Sequence, residues 1–283
     1  MFVCLVVQKQ NSAGIFQRLI NILTAPKVQA QTMCACGVEY LLIKAESGRK
    51  GVNWQKVERL AGSLAEEILA PEDVKLPPSS PLKRYNCTLF NRQVLLRSAC
   101  ELIDRTRMPM YRRILGLVDD TGEYADFLNE LLKHYTSVKV VTQATDVYEK
   151  AAQDMMEQWG APVFVGTEPE SLAECVLILA PKGMQSVCSF RSGCPVLLGD
   201  RETASGQNSQ DVFTGLRVQP KKELLELVPT GIDPHLFMGA LLEYGGVQPA
   251  GLTAEKLFCN CKKTALTQAA EIIAKNAGTS ALF

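Results

Sequence analysis

The 283-residue chain has no surplus of charge of either sign: 30 Lys and Arg balance 30 Asp and Glu. A nucleic-acid-binding surface normally shows as a basic excess, so this balance argues against that class of partner. The basic clusters that occur, Arg49-Lys50, Lys83-Arg84, the group Arg105, Arg107, Arg112 and Arg113, and Lys262-Lys263, are short and read as solvated surface. Long apolar runs are missing too. The run at residues 175–180 has the length of a strand, far short of a membrane span, so no membrane partner is expected. Residues 1–7 are apolar but lack a basic leader and lead into polar residues 8–12, which reads as a first strand rather than a signal peptide. Histidine is scarce. His134 falls near a helix end and His235 in a first helical turn, and both read as structural. No Ser-His-Asp set, P-loop or His-Glu-x-x-His motif can be assembled.

Cysteine is not scarce, with ten in the chain. Cys4, Cys87, Cys100 and Cys175 lie in apolar patterns, as small buried hydrophobes do in a reducing compartment, and the expected location is cytoplasmic. Cys34-x-Cys36 and Cys259-x-Cys261 could in principle give four thiolates to zinc, but the spacing is short, the pairs lie far apart in sequence, and unconnected thiols are the plainer reading. No resident metal is expected.

Along the chain, a strand at 2–8 is followed by a helical pattern at 13–24 and a hairpin of two strands, 28–36 and 38–45, around Gly37. Asn53 caps a helix with the stripe Trp54, Val57, Ala61, Leu64 and Ile68. Residues 76–82, with three prolines, form a loop, and a helix at 92–105 ends before Pro109. Strands and helices then alternate: strand 113–118, helix 123–135, strand 138–142, helix 146–159, strand 162–166, a short helical turn, and strands 175–180, 195–198 and 212–218. Short apolar strands alternating with amphipathic helices specify a parallel sheet covered on both faces. Residues 199–210 read as a loop. Asp233 and Pro234 start a helix through Tyr244, and helices follow at 254–262 and 266–275. The expected fold is α/β: a Rossmann-like doubly wound, mostly parallel sheet at 109–220, preceded by a small α/β domain at 1–108 and followed by a helical tail at 221–283 packing on the preceding domain.

Ligands of such sheets bind outside the C-terminal strand ends. That rule selects the crevice formed by Asp119, Asp120, Thr121, Gly122, Thr142, Gln143, Pro181, Lys182 and Gly183. A dinucleotide loop wants G-x-G-x-x-G/A after the first strand, whereas Asp120-Thr121-Gly122-Glu123-Tyr124-Ala125 keeps the second glycine and the final small residue with Asp in the first place. Asp119, Asp120 and Glu123 would each oppose a diphosphate by about 1 kcal/mol or more. The aspartates read best as helix caps, with an altered nucleotide loop and a metal site as alternatives. The second loop, Thr142-Gln143-Ala144-Thr145, lacks the acid that holds an adenosine ribose; it disfavours NAD and permits NADP, although no arginine is present for the extra phosphate.

The strand–turn–helix around Val141-Thr142-Gln143-Ala144-Thr145 and the turn Ala180-Pro181-Lys182-Gly183-Met184 resemble the corresponding parts of shikimate dehydrogenase-like enzymes, over residues 114–184. That resemblance implies the Rossmann-like fold, the order of a smaller domain before it, and an NAD(P)-dependent oxidoreductase activity. The glycine-rich loop is replaced, the family's Ser-x-Ser substrate motif is absent, and nothing places Lys44 or Asp104 as its catalytic pair. Residues 114–120 also resemble the start of a response-regulator receiver domain, but the strand at 162–166 is followed by Thr167 and Glu168 instead of a phosphoacceptor Asp. The functional expectation is a Rossmann-like protein that binds a small molecule or a protein partner without ordinary dinucleotide chemistry, the alternative being the oxidoreductase. Homo-oligomerisation stays open.

Overall fold

The computed structural model describes residues 1–9, 27–48, 51–182, 194–199, 211–218, 220–246, 254, 256–260 and 262–279. The expected helix at 13–24, the loop at 200–210, and Gly183, Met184 and Cys261 lie outside the described residues.

The chain forms two compact units, Met1–Phe90 with Gln219–Ala250, and Asn91–Val218 with Gly251–Phe283. The division falls at Phe90 rather than at residue 108. The stretch expected as one helical tail is shared out: residues 219–250 belong with the N-terminal unit and only 251–283 with the second.

The first unit holds β1 (Phe2–Lys9), β2 (Val28–Ala35), β3 (Val38–Ser47) and β4 (Ile68–Leu69) in the order β2-β3-β1-β4. β1 runs parallel to β3, with Phe2 opposite Tyr40, while β2 and β3 form an antiparallel hairpin. Residues Phe2 to Val6 are all buried, so this strand is covered on both faces. On one face Val3 and Leu5 pack with Ile43, Val57 and Ala61. On the other, Phe2 stacks on Tyr40 at 5.3 Å, and Phe237 meets both rings edge-on at 5.9 and 5.5 Å.

Helix α1 (Trp54–Ala61) starts as expected, with the Asn53 side chain accepting from the Lys56 amide. It stops earlier than its apolar stripe implies. Gly62 turns the chain out at φ 55°, and Ile68, expected on the helix, instead pairs with Val3 in the parallel ladder of β1. An open edge of a buried strand outcompetes another helical turn because its backbone groups need partners. Arg84, expected as solvated surface, donates to the carbonyls of Ala70 and Pro71, both at 2.9 Å, and of Val74, tying down the segment after β4.

The β2–β3 turn is Cys36-Gly37, with φ of 51° and 80°. Two positive φ angles define the hairpin turn that favours Asn-Gly. A side chain other than Asn or Asp is strained there, so Cys36→Asn is expected to stabilise the unit by about 0.5–1 kcal/mol. Chemical denaturation should show a higher midpoint, and a lower one would contradict the turn assignment.

The second unit begins with α2 (Thr88–Arg105), whose first turn lies on the other side of the division. Among the described residues its sheet has eight strands: β5 (Ile114–Val118), β6 (Ser137–Val141), β7 (Val163–Gly166), β8 (Leu177–Ala180), β9 (Val196–Leu198), β10 (Val212–Arg217), β11 (Lys256–Cys259) and β12 (Lys262–Ala265). The order is β12-β11-β10-β9-β8-β5-β6-β7. β5 to β10 are mutually parallel where they pair, so the chain goes out from β5 through β6 to β7, returns, and continues through β8, β9 and β10. This is the order 3-2-1-4-5-6 of a doubly wound Rossmann-like sheet, with its switch point between β5 and β8.

Two helices expected here differ. The segment 123–135 is a 3-10 turn, Ala125–Phe127, followed by the five-residue α3 (Leu128–Leu132). Where a helix is expected at 254–262, residues 256–259 instead form β11, which pairs antiparallel with β10 and with β12 and extends the sheet. Leu257 and Cys259 are buried while Lys256 is exposed, a period of two that four residues are too few to announce. Helix α4 (Thr145–Trp159) packs on β7. In the first unit, α5 (Lys222–Leu225) precedes α6 (Pro234–Gly245), whose Asp233 cap accepts from the His235 amide as its sequence implies. In the second, α7 (Leu266–Thr279) follows β12 directly. No helix among the described residues is long and apolar enough to cross a membrane.

Candidate functional site

The residues expected to line a crevice sit at the C-terminal ends of β5, β6 and β8. Asp119 follows β5 directly and is buried. Its backbone N–H donates to the Val141 carbonyl at 3.1 Å, so the loop starts flush against β6. One carboxylate oxygen, Oδ1, accepts from the Thr121 amide at 3.1 Å and the Thr121 hydroxyl at 2.7 Å. The other, Oδ2, accepts from the Tyr124 amide at 3.0 Å and the Tyr148 hydroxyl at 2.7 Å. Asp119 thus caps the turn after β5. Asp120, its neighbour, is exposed.

Four donors converge on one carboxylate. Burial alone would raise the Asp119 pKa, but the bonds from Tyr148, Thr121 and Tyr124 outweigh it and hold the carboxyl below its ordinary value. Burial, then the Asp119 carboxylate itself, pushes the Tyr148 hydroxyl well up, so its proton stays in place. A carboxyl with a depressed folded pKa adds stability above its unfolded pKa and loses it as pH falls through the folded one. The wild type is therefore expected to lose stability below about pH 4 more steeply than Asp119→Asn. Parallel acid limbs in urea melts would refute the cap.

Thr142, fully buried at the end of β6, donates its hydroxyl to the Asp119 carbonyl at 2.6 Å and accepts from the Ala144 amide at 2.9 Å. It pins the two strand-end loops together. Gly122 adopts φ 77°, and a β-carbon there would lie 3.2 Å from Val147 Cγ1. Gln143 is exposed. Beyond β8, Pro181 is buried, and a β-carbon on Gly199 would lie 2.3 Å from its carbonyl oxygen, so the exits of β8 and β9 are in close contact.

Lys182 crosses from the β8 loop to the β5 loop. Its Nζ donates to Glu123 Oε1 at 2.8 Å and to the Thr121 hydroxyl at 3.3 Å. Arg92, from α2, grips the other oxygen of Glu123 and lies 5.8 Å from the centre of the Tyr124 ring. The structure thus brings together Asp119, Thr121, Gly122, Thr142 and Lys182. Glu123, expected beside a diphosphate, joins them, and the structure adds Arg92, Tyr124 and Tyr148, which the sequence does not assign there. Tyr148 is legible as core on its helix stripe, but only the fold reveals its hydroxyl's target. Nothing in the sequence ties Arg92 to a loop some thirty residues on.

The electrostatics follow. The loop carries three carboxylates, Asp119, Asp120 and Glu123, and the two cations Arg92 and Lys182 both bind Glu123, which leaves one net negative charge among these five groups. Two backbone amides of the turn where a dinucleotide fold would seat a diphosphate, those of Thr121 and Tyr124, are taken by Asp119. Arg113 and His134 lie away from the crevice, at the N-terminal ends of β5 and β6. Both bind Asp104 at 2.8 Å. Among the described residues no group of three or more His, Cys, Asp or Glu is placed to hold a metal ion.

No protein-family model matches the chain, and no curated protein matches it in sequence. Among solved structures it is similar to a Δ1-pyrroline-2-carboxylate reductase from Thermococcus litoralis, solved with NADH and L-proline, at 13% identity and a TM-score of 0.32 over 73% of this chain and 69% of that one. It is also similar to a shikimate dehydrogenase solved with NADP+, at 10% identity and a TM-score of 0.35 over 99% of this chain and 95% of that one. An L-tryptophan dehydrogenase from Nostoc punctiforme gives 10% identity and a TM-score of 0.35 over 98% of this chain and 80% of that one. A shikimate dehydrogenase, the kind of enzyme that the sequence weakly resembles, is thus among these structures. Likeness at this level says nothing of the ligand or activity of this chain.

Proposed function

We propose that the crevice of the Rossmann-like unit binds a small molecule or a protein partner and does not hold a dinucleotide by its diphosphate. One observation carries this reading: the Asp119 carboxylate accepts from the Thr121 and Tyr124 amides and so fills, from within the chain, the place an anionic ligand would need. An incoming diphosphate would have to displace a carboxylate held by four donors and would meet a net negative loop.

A second reading is an NAD(P)-dependent oxidoreductase related to shikimate dehydrogenase. The strand order with its switch point between β5 and β8, and Lys182 poised over the crevice, favour it. NADP is the preferred cofactor on this reading, because the loop after β6 carries no acid to hold a free ribose hydroxyl.

Thermal-shift titration against NAD, NADP, their reduced forms, ATP and S-adenosylmethionine, with and without magnesium, separates the two. The first reading expects no dinucleotide to move the midpoint. A ligand at about a hundredfold its Kd adds roughly 2.7 kcal/mol, so a binder would be plain. A shift with one dinucleotide, lost in Gly122→Val, would overturn the first reading and establish the second.

A further inference from the structure

The hairpin of the first unit carries a feature that the crevice does not use. Cys34 is the penultimate residue of β2 and Cys36 the first residue of the turn. Both are exposed, free thiols. The other described cysteines are different: Cys4, Cys87, Cys100, Cys175 and Cys259 are buried and Cys194 is half-buried. Burial pushes Cys175 and Cys100 up to about 12, which keeps them as inert thiols. The turn itself gives no reason for a cysteine at Cys36, since its φ of 51° suits Asn or Gly better.

Two residues separated by one position have α-carbons no more than about 7 Å apart, so their side chains can close on a single ion. Thiolates are soft donors and select soft cations. A structural zinc site would need four ligands, and no third His, Cys, Asp or Glu joins this pair among the described residues. A cation content with two thiolates fits, which means a monovalent d10 ion of the cuprous type.

We propose that Cys34 and Cys36 form a two-thiolate site for a soft monovalent cation, with Cu(I) as its type. On binding, two S–H bonds break and two S–Cu bonds form. Two protons leave to solvent, and neither sulfur nor metal changes oxidation state. The affinity therefore rises with pH.

The test uses the full-length reduced chain, titrated anaerobically with Cu(I) held by bicinchoninate as a coloured competitor. The wild type is expected to withdraw one equivalent more than Cys34→Ser/Cys36→Ser and to release two protons with it. Each single variant, and the turn-compatible Cys36→Asn, should lose at least ~10-fold in affinity, because the second thiolate acts at high effective concentration. Comparison with the double variant subtracts any copper taken by the remaining cysteines. Equal binding by wild type and double variant would overturn the proposal, as would wild-type affinity in either single serine variant. Both positions are exposed at a hairpin tip, so an unchanged far-ultraviolet spectrum is expected and confirms that each variant is folded.

Discussion

Replacing Asp119 by Ala is expected to cost the Rossmann-like unit about 3 kcal/mol, or roughly 6–12 °C in its melting midpoint. The carboxylate satisfies the Tyr124 amide and the Tyr148 hydroxyl, and both tyrosines are buried, at 4% and 0% exposure. Truncation leaves those donors without an acceptor in a place water reaches poorly, at about 1–3 kcal/mol each. The Thr121 donors are exposed and recover water, so they add little. Tyr148→Phe should cost only about 1 kcal/mol, because Asp119 keeps three other donors. In the Asp119→Ala background the same change should be nearly free, since the hydroxyl no longer has a partner to lose. Additive effects of the two changes, or a loss below about 1 kcal/mol for Asp119→Ala, would mean that the carboxylate does not organise the loop.

Phe237→Ala should be the most destabilising single change in the first unit, at about 4 kcal/mol. The ring is fully buried and meets Phe2 and Tyr40 edge-on, so its removal opens a cavity between α6 and the strands β1 and β3. Hydrogen exchange gives the sharper readout. Amides of β1 and β3 should exchange faster in the variant while those of β5 and β6 keep their protection, because residues 219–250 belong to the unit of β1. Faster exchange confined to β5 and β6 would place α6 with the Rossmann-like sheet, as the sequence alone suggests.

The difference between these expectations has a physical origin. Alternation of short apolar strands with amphipathic helices is written in local periodicity. The sequence therefore announces β5 to β10, α4, the hairpin at Gly37, the Asn53 and Asp233 caps, and the α/β class. The strand ends are legible to the same extent, because the alternation of elements places Asp119, Thr142 and Pro181 just after β5, β6 and β8. Local pattern cannot tell which partner covers a given apolar face. The helix at 234–245 is apolar whichever unit it packs on, and only the aromatic cluster of Phe2, Tyr40 and Phe237 decides.

Three outcomes were decided by tertiary structure alone. Ile68 left its helical stripe because the edge of β1 offered a ladder of backbone partners. Residues 256–259 and 262–265 became two strands, β11 pairing antiparallel with β10 and β12 with β11. Asp119, one acid among three near the loop, turned inward because Tyr148, from α4, and the amides of its own turn met at its two oxygens. The sequence by itself determined the alternation of strands and helices from β5 to β10 and where those strands end, since those depend on residues near each other in the chain. The tertiary structure decided which segments share a core and which carboxylate is buried, since hydrogen bonding and packing between residues far apart in the chain leave no local trace.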